Sequence, residues 1–226
     1  MRGGGDDPGV GRRREGLDPL DRLLEQRPVA VRRWLRQEYP AIVKQAKAEG
    51  AEIYWGDQTG CHNQPNAVRG YAPQGQTPQV VRSARRFTRS VMSAVTNRGS
   101  LRWMVYQGAL NAPRLIGFLG RLVRQAHGRK VRLILDNLRV HHSAPVKDWL
   151  AEHAGEITVH HLPSYSPELN PDEWLNRSLK GKLAALPAPR TEAQLHRQTI
   201  AQLRSCHKQP ALIARCFTSR STAYAA

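Results

Sequence analysis

Apolar positions along the chain switch between a helical and an alternating period, and the switches predict the elements. From Asp18 the spacing is helical. Leu20, Leu23 and Leu24 share one face, and Val31, Trp34 and Leu35 another, with Pro28 and Pro40 as punctuation. Ile42, Gln45, Ala46 and Glu49 continue a short helix that Gly50 ends. Residues 51–57 then read as an apolar strand that finishes on an acid, Asp57. Two more strands are predicted at 90–96 and 101–106, with Asn97-Arg98-Gly99-Ser100 as a hairpin turn between them. Leu115, Phe118, Leu119 and Leu122 predict an amphipathic helix over 111–127. The run Val131-Arg132-Leu133-Ile134-Leu135 is a buried strand that leads into Asp136, and a helix near 144–153 and a strand at 157–162 follow. Three strands, then helix, strand, helix, strand and helix describe an α/β fold, a mixed sheet with helices packed on it.

The last helix announces its own start. In Leu162-Pro163-Ser164-Tyr165-Ser166-Pro167-Glu168-Leu169-Asn170-Pro171-Asp172-Glu173-Trp174, Asn170 suits the N-cap, Pro171 the first helical position and Glu173 the third. Trp174, Leu175, Leu179 and Leu183 supply the apolar stripe. Glu173 thus has a purely structural role open to it, as a capping-box acid bonded back to the Asn170 amide. Asp136 has one too, as the residue that closes a turn. The combination favours chemistry. If the strands carrying Asp57 and Asp136 pair side by side, both acids project from one edge of the sheet, and the helix start bearing Glu173 can return to that edge. Three carboxylates gathered there repel one another unless a cation sits among them. Hard divalent ions prefer such oxygen ligands, and two ions about 4 Å apart stabilise the attacking and leaving oxygens of a phosphoryl displacement.

Charge supplies the partner. Lys and Arg outnumber Asp and Glu by 35 to 18, a net charge of +17, which favours a polyanion, nucleic acid before an acidic membrane. From Trp174 onward there are nine Lys or Arg and one acid, Glu192. Cys61, Cys206 and Cys216 lack metal-ligand spacing and read as reduced thiols of a cytoplasmic protein. The N-terminus has no apolar signal-peptide core, and no apolar run approaches the roughly 20 residues of a membrane span.

Four segments carry a family resemblance: Ile53-Tyr54-Trp55-Gly56-Asp57, Arg69-Gly70-Tyr71-Ala72-Pro73-Gln74-Gly75, Leu133-Ile134-Leu135-Asp136-Asn137 with His141, and the helix-start run ending Glu173-Trp174. Over roughly residues 29 to 185 the chain resembles the DDE transposases of bacterial insertion sequences related to the mariner superfamily. The last segment is the most specific, and its acid lies 37 positions beyond Asp136, close to the short spacing of that superfamily. The resemblance implies a ribonuclease-H-like catalytic domain at 51–186 and a metal-binding triad of Asp57, Asp136 and Glu173. It implies Mg²⁺ or Mn²⁺, two ions, as cofactor, and cleavage of double-stranded DNA at transposon ends with strand transfer into target DNA by a homodimer. Asn137 and His141 match the family's Asp-Asn-x-x-x-His pattern and support the site or touch DNA; His142 matches nothing. Asp172 rivals Glu173 as third ligand, but adjacent helix residues point about 100° apart and the motif favours Glu173. Arg69, Arg85, Arg86, Lys180 and Lys182 are candidate phosphate contacts. Gln58 stands where relatives often carry an acid. Around the catalytic domain the sequence suggests a disordered basic, Gly-rich lead-in at 1–17, a short helical linker at 18–50 and a basic helical tail at 187–226. The stretch before the first catalytic strand is too short for the two helix-turn-helix units usual in relatives. A truncated element is therefore expected, with a DNA-binding remnant or a stand-alone metal-dependent nuclease as the alternatives.

Overall fold

In the computed structural model, which describes residues 28–63 and 86–226, the apolar runs pair into one five-stranded mixed sheet. The expectations for residues 1–27, for the Arg69–Gly75 segment and for Arg85 lie outside the described residues. The strands are β1 (Glu52–His62), β2 (Thr88–Val95), β3 (Leu101–Tyr106), β4 (Val131–Leu135) and β5 (Ile157–His161). Their spatial order is β3-β2-β1-β4-β5; β2 is antiparallel to both neighbours, whereas β4 runs parallel to β1 and β5. This is the mixed-sheet α/β arrangement that the element order predicts, and it agrees with the ribonuclease-H-like fold that the resemblance implies.

Alternation along the strands assigns the two faces. Tyr54, Leu133 and Leu135 face one way, against Leu115, Phe118, Leu119 and Leu122 of α3 (Ala112–Gln125) and Val146 of α4 (Ala144–Glu152). Trp55 and Ile134 face the other way, in a core shared with Leu175 of α5 (Asp172–Ala184) and Cys206 of α6 (Glu192–His207). That second core also takes in Val31 of α1 (Pro28–Arg33), Tyr39 and Ile42 of α2 (Tyr39–Glu49), and, past α7 (Pro210–Ala214), Phe217 and Ala225. Buried Arg132 on β4 ties α2 down, with Nη2 donating to Glu49 Oε2 at 2.8 Å and Nη1 to Gln45 Oε1 at 2.9 Å.

Three local features refine the sequence reading. Pro40 does not interrupt the helical run. A π turn over Trp34–Glu38, in which the Tyr39 amide reaches back to the Trp34 carbonyl, widens the helix just before the proline. β1 does not stop at Asp57 but continues to His62, because β2 goes on pairing with it through Thr88. The predicted hairpin turn forms, and Gly99 there has φ +87°; a Cβ at this position would lie 2.6 Å from the Pro210 carbonyl oxygen. Gly99→Ala is therefore expected to destabilise the fold by about 3 kcal/mol, through the left-handed backbone and overpacking against a main-chain atom. Urea unfolding measures this; a loss well below 1 kcal/mol would show that the hairpin tip does not bear on α7.

Tyr224 closes the second core. Its hydroxyl accepts from Trp34 Nε1 at 3.1 Å and donates to the Leu169 carbonyl at 2.9 Å, while its ring stands edge-on to Tyr39 and Trp55. One side chain thus joins the π turn after α1, the central strand and the turn Pro167–Leu169 that leads into α5.

Candidate active site

Parallel pairing of β1 with β4 places Trp55 opposite Ile134, so Asp57 and Asp136, each two residues further on, come level where β4 ends. Gly56 permits this approach: a Cβ there would lie 2.7 Å from Leu135 Cδ2 and 3.1 Å from the Ser93 carbonyl. Beyond the last paired residues a cleft of about 410 Å³ opens, lined by Asp57, Asp136, Asn137 and Glu173 and by the 162–167 loop.

Asn170 brings Glu173 to this cleft. Its Oδ1 accepts from the Asp172 amide at 3.0 Å, which caps α5, and its Nδ2 donates to the Gly56 carbonyl at 3.0 Å. The helix start is thereby pinned to the residue before Asp57. The capping box open to Glu173 does not form, because the Asn170 amide donates to the Pro167 carbonyl at 2.9 Å. The Glu173 carboxylate lines the cleft instead.

Asp57 is 8% exposed. Burial first, then the charges of Glu173 and Asp136, push its pKa up to about 7, against opposing hydrogen bonds from the Gln58 main chain and from Asn176 Nδ2 to Oδ2, the latter at 2.7 Å. Asp136 is half-buried, and desolvation raises its pKa above the usual carboxylate value. Asp172, the rival for the third place, does not reach the cleft. It is fully buried on the sheet side of α5, where Ser93 Oγ donates to its Oδ2 at 2.7 Å, and burial raises its pKa well above 3.8. Asp172 Oδ1 and Asn176 Oδ1 are buried acceptors without a hydrogen-bond partner, one turn apart on the same helix face. A proton kept on Asp172 would give that pair a donor.

The histidines stand behind Asp136. His141 is buried, and its Nδ1–H donates to the Asp136 carbonyl at 2.9 Å; His161 Nδ1–H donates to the same oxygen at 3.1 Å. Burial lowers both pKa values, which favours neutral rings. Asn137 Nδ2 donates to Ser164 Oγ at 3.2 Å, and its Oδ1 accepts from His142 Nε2. His161, Asn176 and Ser93 escaped the sequence reading. Asn176 had left a signal, since it lies one turn beyond Glu173.

Among the basic candidates in the described residues, none lines the carboxylate cleft. Arg86 and Lys180 meet beside His62 around a separate hollow of about 460 Å³ at the far end of β1. Lys182 is turned onto α6, with Nζ 3.4 Å from Cys206 Sγ.

Among the described residues no three Asp, Glu, His or Cys side chains are grouped so as to hold a metal ion as they stand. The donor chemistry nonetheless fits a hard divalent cation. Among the described residues the cleft's charged lining is three carboxylates and no Lys or Arg, and burial together with the neighbouring charges raises the proton affinity of Asp57. Mg²⁺ needs only one or two carboxylates when water and phosphate oxygens complete its shell.

In its fold the chain is similar to solved structures of Mos1, a mariner transposase. These include the pre-cleavage Mos1 transpososome (18% identity, TM-score 0.57, covering 91% of this chain and 64% of that one). They also include the Mos1 strand transfer complex (19%, 0.55, 91% and 62%) and the Mos1 transposase catalytic domain with raltegravir and Mg (17%, 0.50, 91% and 96%). The chain therefore spans less than two thirds of the Mos1 chains in the first two structures. No curated protein sequence matches it. The family model described as DDE superfamily endonuclease matches residues 52–196, from the start of β1 into α6 and across all three cleft acids. The chain belongs to the DDE superfamily endonucleases.

Proposed function

We propose that the chain is a mariner-related DDE transposase that cleaves DNA at transposon ends and transfers the freed 3′ strand to target DNA. In this reading Asp57, Asp136 and Glu173 hold two Mg²⁺ or Mn²⁺ ions, with Asp57 between the other two. The observation that carries it is the convergence on one cleft of a mid-strand aspartate, a level aspartate just past the end of the neighbouring strand, and a helix-start glutamate. Bound there, such ions supply an activated water and charge stabilisation at the attacking and leaving oxygens of a phosphodiester. The chain's own residues do the positioning. Asn176 orients the Asp57 carboxylate, the two imidazoles of His141 and His161 fix the Asp136 main chain, and Asn170 sets the distance of Glu173 from β1. Arg86 and Lys180, with Arg69 and Arg85, are candidate phosphate contacts, each adding to a salt-dependent affinity. The substrate is duplex DNA, at the transposon end and at the target, and the active form is a homodimer.

The test is strand nicking and joining with Mg²⁺, with Mn²⁺ or with a chelator, on duplexes that carry or lack the inverted repeats flanking the gene. Transposition predicts metal-dependent cleavage at the repeats followed by joining. Cleavage of any duplex without joining would identify a nuclease instead, and salt-sensitive binding with no cleavage a binding remnant. Glu173→Gln is expected to lose cleavage while keeping its stability. Retained cleavage with a stability loss of about 1 kcal/mol would return Glu173 to a helix-end role.

A further inference from the structure

On the side of β2 away from the cleft, β3 is the edge strand of the sheet among the described residues. Two of its carbonyls are already taken by cationic or imidazole side chains. Arg121 Nη2 of α3 donates to the Trp103 carbonyl at 3.1 Å, and His207 Nδ1 of α6 donates to the Leu101 carbonyl at 3.0 Å. α3 and α6 rise on either side and form a groove of about 680 Å³ with β3 as its floor. Arg102, Arg121, His196, Arg204, His207 and Lys208 line it, and none of its described lining residues is acidic. Arg121, Arg204, His207 and Lys208 are exposed.

We propose that this groove is a second nucleic-acid contact, one that holds the phosphate backbone of a DNA duplex apart from the stretch that enters the carboxylate cleft. The proposal rests on the reading of the chain as a DNA-processing enzyme and adds a surface to it. Three observations select this occupant. An added β-strand from another protein would have to displace Arg121 and His207 from the edge carbonyls, so the groove is built against strand addition. On α6 the groove-facing residues His196, Arg204 and His207, with Ile200 between the first two and Lys208 just beyond, form a single stripe. At 1.5 Å per residue the stripe is about 18 Å long, room for several successive phosphates of one strand. A small anion would occupy one point of such an array; a phosphate backbone occupies its length. Finally, Asp57 pairs with Ser93 and Ser93 with Trp103, so the groove floor lies level with Asp57 but about 10 Å away across the sheet. The groove flanks the catalytic cleft and does not extend it.

The test compares the wild type with Arg121→Gln/Arg204→Gln/Lys208→Gln and with a charge-matched control, Arg36→Gln/Lys44→Gln/Lys47→Gln, on exposed positions of the N-terminal helices. A labelled 30-base-pair duplex of arbitrary sequence is titrated at 50–300 mM KCl with chelator present. The groove variant is expected to bind at least tenfold more weakly at 100 mM KCl. Its log–log salt slope should be shallower by about 2 to 3, near 0.9 for each phosphate no longer neutralised. The control should keep the wild-type slope. A groove variant with the wild-type slope, or a control that weakens binding as much, would overturn the proposal. So would a groove variant that shifts only the monomer–dimer balance, since a second copy of the chain would then be the occupant. A wild type that binds no duplex at all would overturn instead the DNA-processing reading on which the groove depends.

Discussion

Asp57→Asn is expected to abolish divalent-dependent cleavage and, in the same protein, to raise the melting temperature of the metal-free form above pH 7. In the proposed reading the first effect is the loss of a metal ligand. Removing several kcal/mol of metal-borne charge stabilisation costs about a thousandfold or more in rate at 1.36 kcal/mol per tenfold. The second follows from burial. In the fold the Asp57 carboxyl titrates near 7, against about 3.9 in the unfolded chain. Between those values the folded state holds the extra proton, so stability falls as the pH rises from about 4 to about 7 and stays low above it. The full cost is on the order of 3–4 kcal/mol, which for a chain of this size corresponds to about 10 °C. Asn at position 57 keeps an acceptor for Asn176 Nδ2 and removes the charge. Asp136→Asn provides the contrast: it should lose cleavage equally but gain little stability, because Asp136 is half-exposed and its charge already meets water. Thermal unfolding in chelator at pH 5 and pH 8 separates the two. Adding Mg²⁺ at pH 8 should raise the wild-type melting temperature and leave that of Asp57→Asn unmoved. An Asp57→Asn protein no more stable than wild type at pH 8 would refute the electrostatic account, and undiminished cleavage would refute the ligand assignment.

Asn176→Leu should damage both properties at once. The side chain is buried, and its amide is the donor that holds Asp57 Oδ2 at 2.7 Å. Leucine fills a similar volume but leaves a buried carboxylate without that bond, a loss of about 2–3 kcal/mol for a charged acceptor. The loss should be largest above pH 7, where Asp57 is ionised, and smaller at pH 5. Held then by the Gln58 main chain without Asn176, the carboxylate loses one of its two fixed orientations, and a displacement of about 1 Å lowers cleavage by roughly a hundredfold. Equal stability losses at pH 5 and pH 8 would assign Asn176 to packing of α5 rather than to Asp57.

Strands and helices were legible because each is a local pattern. The alternation around Leu133 and the 3.6-residue spacing of Leu115, Phe118, Leu119 and Leu122 survive in the fold as two faces of one sheet and one face of one helix. The meeting of Asp57, Asp136 and Glu173 in one cleft was legible as well. The strand pattern put two acids at comparable places, and the capping residues located the third. What lay hidden depends on packing between distant segments. Nothing near Asp172 tells that Ser93, 79 residues earlier, will take its carboxylate away from the cleft. Nothing near His161 tells that it shares the Asp136 carbonyl with His141. Asp57 was misplaced at the end of its strand because the local break at Gly56-Asp57-Gln58 resembles a turn. Pairing with β2 overrides that break.

The Tyr224 clasp also sets a timetable. Trp34 and its hydroxyl partner are 190 residues apart in sequence. At about 5–20 residues per second, a ribosome makes the one roughly ten to forty seconds before the other. Through that interval the aromatic face of Trp34, Tyr39 and Trp55 lacks its cover, and the Leu169 carbonyl lacks the phenol that anchors the approach to Glu173. A nascent chain thus carries Asp57 and Asp136 long before the third acid is fastened in place. Competence for chemistry waits on the synthesis of Tyr224, and chaperones have most to protect while the Trp34, Tyr39 and Trp55 cluster is uncovered.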